Sequence, residues 1–282
     1  MPKTKEKTSI DRSASGDIPF IEWYDENGVF NGISFKNDDK FNFAFDVMDE
    51  IAEKDPDKLA MLHISKDKTE RRFTFKDIKT ESNRVANYFT SLGIKKGDKV
   101  MLVLKRHYQF WFCMVALHKI GAVAIPATNQ LKEHDFEYRF NAAGVSALVC
   151  TADGDTANQI DLAAATCPEL KHKMIVNGEK DGWRTFDEEY TLYSTHYKRT
   201  ADTPCGEDLM LMYFTSGTSG YPKIAAHNYK YPLGHFITAG AGDLMLGISD
   251  FGIGGIFVLA LRLDSHCALD GCCIVGNGQH LI

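Results

Sequence analysis

Short apolar runs alternate with longer helical patterns between residues 99 and 176, and this alternation constrains the fold more than any other feature. The apolar runs have the length of buried strands, whereas the segments between them carry apolar residues at helical spacing. Strand patterns cover residues 99–104, 122–126, 146–151 and 173–176, and helical patterns cover residues 108–120, 133–143 and 156–166. A chain that alternates in this way forms a parallel sheet covered by helices. The sequence therefore predicts an α/β fold with flanking helices.

Similar patterns extend the predicted domain in both directions. A helix over 42–54, a hairpin over 59–75 and a helix over 76–92 precede the alternating region, and an apolar strand over 209–214 follows it. Residues 1–40 are polar with scattered aromatics and are predicted to form an irregular lead-in. Residues 240–282 differ in composition, because they contain no Lys and cluster their glycines. We therefore divide the chain into 1–40, a domain at 41–239, and a tail at 240–282.

Composition excludes several classes of partner. Of the 282 residues, 44% are hydrophobic, which suffices for a large core, and the net charge of −6 gives no general attraction to nucleic acid. The longest apolar stretch, 251–261, is about half of the roughly 20 residues that a membrane span needs. The N-terminus lacks the apolar segment of a secretory signal, and the seven cysteines have no regular spacing. We expect no membrane span and a cytoplasmic location. Oligomeric state is open.

A loop rich in Gly, Ser and Thr follows the last predicted strand directly. Glycines let the backbone approach an anion closely, successive N–H groups form an anion-binding nest, and a Lys supplies positive charge. The run departs from GxxxxGK[ST] and from GxSxG. A flexible surface loop is the alternative, but the order of residues after an apolar strand favours phosphate binding. The candidate residues of this phosphate loop (residues 215–223) are Thr215, Ser216, Gly217, Thr218, Ser219, Gly220 and Lys223.

The phosphate loop resembles the signature of the adenylate-forming superfamily, which includes acyl-CoA synthetases, luciferases and peptide-synthetase adenylation domains. The spacing from Lys223 to His227 is similar to the medium-chain acyl-CoA synthetase branch. Further segments with a family resemblance are 72–78, 92–100 and 117–126, and the resemblance extends over roughly residues 20 to 239. It implies that the fold is part of the large N-terminal domain of an adenylate-forming enzyme.

The resemblance also implies a two-step reaction with ATP, Mg²⁺ and coenzyme A. A small-molecule carboxylate would attack the α-phosphate of ATP, giving an acyl-adenylate and pyrophosphate, and coenzyme A would then displace AMP. The phosphate loop would hold the β- and γ-phosphates, and no catalytic residue is assigned. Two alternatives stay open: another adenylate-forming ligase with a different acceptor, and a non-catalytic remnant that at most binds a nucleotide.

The tail at 240–282 departs from the family pattern. A family run like Ser-Asp-Thr-Gly-Trp is reduced to a Ser, an Asp and a Gly at 249, 250 and 252, and nothing after it is recognisable. We expect a truncated or frame-shifted product here, with genuine divergence as the alternative, and an inactive fragment. The candidate metal ligands His266, Cys267, Cys272, Cys273 and His280 lack the spacing of a zinc site, so no metal site is predicted.

Overall fold

The computed structural model describes residues 20–24, 27, 29–35, 38–65, 67–215, 220–233 and 272–275. In chain order the elements are β1 (Phe20–Tyr24), β2 (Phe30–Phe35), a π-helical segment (Ala44–Asp49) that continues as α1 (Glu50–Lys54), β3 (Leu59–Ile64), β4 (Glu70–Thr74), α2 (Phe75–Ser91), β5 (Lys99–Val103), α3 (Gln109–Ile120), β6 (Val123–Pro126), α4 (Glu133–Ala143), β7 (Val145–Thr151), α5 (Thr156–Ala164), β8 (His172–Val176), β9 (Arg184–Thr185), α6 (Phe186–Glu189), β10 (Leu209–Thr215), β11 (Lys223–Asn228) and β12 (Cys272–Val275). None of the helices within these ranges has both the length and the apolar character needed to cross a bilayer.

A seven-stranded sheet forms the centre of the domain, with the strand order β11-β10-β6-β5-β7-β8-β9. Its strands are parallel, as predicted, up to the edge strand β11, which pairs antiparallel with β10. The prediction of a parallel sheet is therefore corrected to a mixed sheet. A short loop joins β10 to β11, and only an antiparallel partner can follow so short a connection.

Helices cover both faces of this sheet, which explains why its strands are continuous apolar runs. Along β5, Val100 and Leu102 point into one core, and Met101 and Val103 point into the other. Side chains of α2 and α3 fill the first core, and those of α4 and α5 fill the second. A strand buried on both faces has no polar side to expose.

Helix boundaries follow local signals in the sequence. At the start of α2, Thr74 Oγ1 accepts a hydrogen bond from the Asp77 backbone N–H at 3.1 Å, and the Thr74 N–H donates to the Asp77 carboxylate at 2.8 Å. This reciprocal pair is a capping box. At the end of α3, Gly121 takes a φ of +83°, the left-handed conformation that glycine adopts without strain.

Two further glycines with positive φ differ in their surroundings. Gly206 has a φ of +56°, and a Cβ built on it would lie 2.3 Å from the carbonyl oxygen of Asp39. Gly144, with a φ of +65°, would place its Cβ more than 4 Å from any other group. A side chain at 206 therefore meets fixed backbone, whereas one at 144 meets open space.

A buried charged group joins three helical segments on the first face of the sheet. The Lys119 ammonium donates to Asp49 Oδ1 at 2.8 Å, to Asn83 Oδ1 at 2.6 Å and to Ser82 Oγ at 3.1 Å. We call these four residues the Lys119 cluster. Burial lowers the pKa of Lys119 and raises the pKa of Asp49, while the contact between them acts in the opposite direction on each. The ion pair and the hydrogen bonds from Lys119 to α2 compensate the burial of the Lys119 ammonium and the Asp49 carboxylate, which would otherwise be costly.

The neighbouring His118 is buried rather than exposed. Its place near the C-terminus of a helix predicts a position at the surface or at the helix end. In the fold its ring is 2% exposed and packs edge-on against Tyr229, with ring centres 6.1 Å apart. Burial lowers the pKa of His118 to about 4.

The two ends of the chain differ from the central domain. Within the predicted irregular lead-in, β1 and β2 form an antiparallel pair, so this prediction is wrong for residues 20–24 and 30–35. An Asn-Gly pair at 27–28, a strong hairpin signal, lies between the two strands. In the tail, β12 pairs parallel with β3, which also forms the predicted hairpin with β4. The predicted frame shift or divergence otherwise falls on residues outside the described ranges.

Candidate phosphate-binding site

The two stems of the phosphate loop are the end of β10 and residues 221–223, where β11 starts. Thr215 lies opposite Lys223 in the antiparallel pairing, and Thr215 Oγ1 donates a hydrogen bond to the Lys223 carbonyl oxygen at 3.3 Å. Strands β10 and β6 are parallel neighbours, so the loop leaves the sheet at its carboxyl edge. Ligands of open α/β sheets bind at this edge.

The described part of the loop has features that suit an anion. Gly220 has a φ of +93°, which an L-residue with a side chain rarely adopts. Lys223 is exposed and forms no ion pair with any residue in the described ranges, so its ammonium is available to a ligand. The strand pairing brings Thr215 and Lys223 opposite each other, and phosphate binding by these residues and Gly220 stays a prediction. The other candidates, Ser216, Gly217, Thr218 and Ser219, lie outside the described residues.

Helix α4 contacts both stems of the loop, which the sequence did not predict. The Tyr138 ring stacks on Tyr221 with centres 4.7 Å apart and an interplanar angle of 20°. Its hydroxyl donates to the Pro222 carbonyl oxygen at 2.8 Å. The Arg139 guanidinium lies 5.3 Å from the ring centre of Phe214, on the other stem. No local pattern marks Tyr138, because its partners Phe214, Tyr221 and Pro222 lie more than 70 residues away in the chain.

On β11, His227 packs between two aromatic rings. Its ring centre lies 5.8 Å from that of Tyr213 and 4.0 Å from that of Tyr231. This ring packing leaves His227 half-buried on the edge strand.

A second polar group lies at the carboxyl edge, beyond β5, β7 and β8. His107 Nε2 is 2.7 Å from Thr151 Oγ1, and the Asn177 side-chain amide lies 3.0 Å from His107 Nδ1. The Gln109 amide donates to Asp187 at 2.8 Å. Burial lowers the pKa of His107, so the neutral imidazole is favoured. No local pattern predicts this group of polar residues. Their positions at the carboxyl ends of neighbouring parallel strands could have indicated it, because those ends meet at one edge of the sheet.

The described ranges contain no group of three His, Cys, Asp or Glu side chains arranged to hold a metal ion. Of the candidate ligands in the tail, Cys272 and Cys273 lie in β12, and His266, Cys267 and His280 lie outside the described residues.

Comparison with known proteins identifies the family of the chain. The family described as AMP-binding enzyme matches residues 48–252. Acyl-coenzyme A synthetase ACSM5, mitochondrial, of Rattus norvegicus is 35% identical over 218 residues, which cover 74% of this chain and 37% of the relative. Acyl-coenzyme A synthetase ACSM2A, mitochondrial, of Homo sapiens is 32% identical over 251 residues, covering 84% of this chain and 42% of the relative.

A solved structure shows the same fold. The acyl-CoA synthetase of Brucella canis superposes with a TM-score of 0.69 at 23% identity, covering 86% of this chain and 45% of the other. The chain thus spans less than half the length of the relatives it matches. The family match extends over most of the chain. The chain therefore belongs to the family of AMP-binding enzymes.

Proposed function

We propose that this chain carries the ATP-phosphate site of an AMP-forming acyl-CoA synthetase that acts on medium-chain carboxylates. The observation that carries the proposal is the exposed ammonium of Lys223, which forms no ion pair with the described residues and lies beside Thr215 at the carboxyl edge of the sheet. Family membership and the names of the relatives support acyl-CoA synthesis, and the short spacing from Lys223 to His227 supports the medium-chain branch.

Each residue of the site would act on charge or position. The reaction places negative charge on pyrophosphate as the carboxylate attacks the α-phosphate of ATP. Lys223 offsets that charge, and the loop's N–H and hydroxyl groups hold the β- and γ-phosphates in line. Bound Mg²⁺ supplies further charge neutralisation on the phosphate oxygens. Coenzyme A then displaces AMP from the acyl-adenylate. Neither step needs a covalent bond to the protein.

We further propose that residues 1–282 alone bind the phosphates of ATP without completing the reaction. The chain corresponds to only 37% of the rat relative, so most of that relative has no counterpart in these residues. The second candidate function is a non-catalytic remnant that at most binds a nucleotide. A different adenylate-forming ligase would share the site and differ in acceptor. A cytoplasmic location stays a prediction, and both named relatives are described as mitochondrial.

The binding proposal is tested by titrating the 282-residue chain with MgATP and comparing Lys223→Ala with the unchanged sequence. Loss of one charge-assisted contact should weaken binding on the order of 10- to 100-fold. Lys95→Ala is the matched control, because Lys95 is exposed and lies before β5, at the opposite edge of the sheet. Equal affinity of Lys223→Ala and the unchanged chain would refute the assignment.

The catalytic proposal is tested by ATP–pyrophosphate exchange with carboxylates of about four to ten carbons. The expected result for residues 1–282 is no exchange above a protein-free blank. Robust, carboxylate-dependent exchange would show that these residues suffice for adenylation. Exchange that favours an amino acid or an aromatic acid would instead support the different ligase.

A further inference from the structure

We propose that Tyr138 is a positioning residue for the phosphate loop, holding Lys223 where an ATP phosphate can meet it. The inference rests on the proposed function of the loop, and it concerns a helix that the loop signature does not include. Tyr138 lies in α4, between β6 and β7, and 84 residues separate it from Pro222.

Tyr138 makes two different contacts with the second stem of the loop. Its ring lies nearly parallel to that of Tyr221, and its hydroxyl donates to the carbonyl oxygen of the next residue, Pro222. The stack fixes the position of the Tyr221 side chain, and the hydrogen bond fixes the backbone at Pro222. Lys223 follows immediately, so the direction in which its side chain leaves β11 depends on this pair.

The same helix also contacts the first stem. Tyr138 packs edge-on against Phe214, with ring centres 6.3 Å apart, and the Arg139 guanidinium lies over the Phe214 ring. Arg139 is in turn held by Asp135, whose backbone oxygen accepts from it at 2.9 Å. Helix α4 therefore fixes the distance between the stems from outside the hairpin.

This arrangement has a consequence for binding. Tyr221 is 74% exposed, so its position depends on the stack and on little other packing. Any ordering of a loop that accompanies ligand binding costs entropy and lowers affinity. By fixing the stems beforehand, Tyr138 reduces this cost without touching the nucleotide.

The test compares Tyr138→Phe and Tyr221→Leu in the full 282-residue chain. Tyr138→Phe removes the hydroxyl and keeps the ring, whereas Tyr221→Leu removes the stack at an exposed position. Tyr193→Phe is the control, because the hydroxyl of Tyr193 also makes one hydrogen bond, with Ser91 at 2.8 Å, beside the first core on the opposite face of the sheet.

Two readouts are measured for each variant: backbone hydrogen exchange of peptides within 209–228, and the Kd for MgATP. Loss of one hydrogen bond should speed exchange at the loop by about 2- to 12-fold and raise the Kd by a similar factor. Tyr221→Leu should act in the same direction. Tyr193→Phe should change neither the exchange of these peptides nor the Kd.

The outcomes separate this inference from the proposed function. If the unchanged chain does not bind MgATP but both loop variants still speed local exchange, the proposed function fails and the positioning role of Tyr138 stands. If both variants leave exchange and Kd unchanged, the positioning role is overturned. It is also overturned if Tyr138→Phe lowers the unfolding midpoint and speeds exchange throughout α4, because Tyr138 would then act as an ordinary packing residue.

Discussion

Replacing Lys119 with methionine should destabilise the domain far more than losing an exposed lysine. Methionine keeps most of the length of the apolar stem but removes the ammonium and its three hydrogen bonds, which have lengths of 2.6 to 3.1 Å. Asp49, only 7% exposed, would then lie buried without its counter-ion. Removing one partner of a buried ion pair costs about 3–5 kcal/mol, mostly because the other charge stays uncompensated.

The same reasoning predicts a partial rescue. In the double variant Lys119→Met/Asp49→Asn no buried charge remains, so the loss should be smaller than in Lys119→Met by at least about 1 kcal/mol. Lys54→Met is the matched control. The Lys54 ammonium lies 2.5 Å from Glu50, but the side chain is 49% exposed, and such surface pairs contribute about 0–1 kcal/mol.

Urea unfolding followed by circular dichroism measures these differences, and thermal unfolding gives a second reading. For a domain of this size, a loss of 3–5 kcal/mol lowers the melting temperature by roughly 6–20 °C. If Lys119→Met lowers the free energy of unfolding no more than Lys54→Met does, the buried ion pair does not hold the three helical segments together. If the double variant is as unstable as Lys119→Met, the uncompensated charge is not the cause of the loss.

Three further predictions concern pH, backbone geometry and the ligand. Burial holds the pKa of His118 at about 4, below its usual 6.5, so the unfolded state binds the proton first. The contribution of neutral His118 to the free energy of unfolding is therefore fully present above pH 6.5. It falls by about 1.4 kcal/mol per pH unit as the pH drops towards 4. His118→Phe should flatten this slope in urea titrations at several pH values, and an unchanged slope would contradict the assignment. Gly206→Ala should cost well above the roughly 1–2 kcal/mol expected for positive φ alone, whereas Gly144→Ala should stay within that range; equal losses would show that the backbone gives way at 206. MgATP should protect the unchanged chain against thermal unfolding but protect Lys223→Ala less at the same concentration, and equal protection would place the bound phosphates elsewhere.

Much of the fold could be predicted because its elements are defined by local patterns. The strand patterns at 99–104 and 146–151 correspond to β5 and β7, and the helix predicted over 133–143 has the bounds of α4. Strand β11 was missed because Lys223–Asn228 alternates weakly and follows directly on the phosphate loop. Its strand character comes from pairing with β10, which a local window does not contain.

The candidate phosphate site also combines features that follow from local sequence with features that depend on tertiary contacts. Its residue types and order were sufficient to predict an anion-binding loop, because backbone donors, positive φ and a nearby cation are local properties. The contact of Tyr138 with Tyr221 and Pro222 was not predictable, because α4 reaches the loop only when β10 lies beside β6 in the sheet.

By itself, the sequence determined the alternation of strands and helices and the two-sided burial of the central strands, and it placed the residue types of the candidate phosphate loop after β10. Only the tertiary structure decided the strand order, the antiparallel edge and the burial of His118 and the Lys119 cluster. The reason is physical. Periodicity and turn chemistry act over a few neighbouring residues, whereas Lys119 and Asp49 meet across 70 positions of the chain and are stable only because three helical segments exclude water around them.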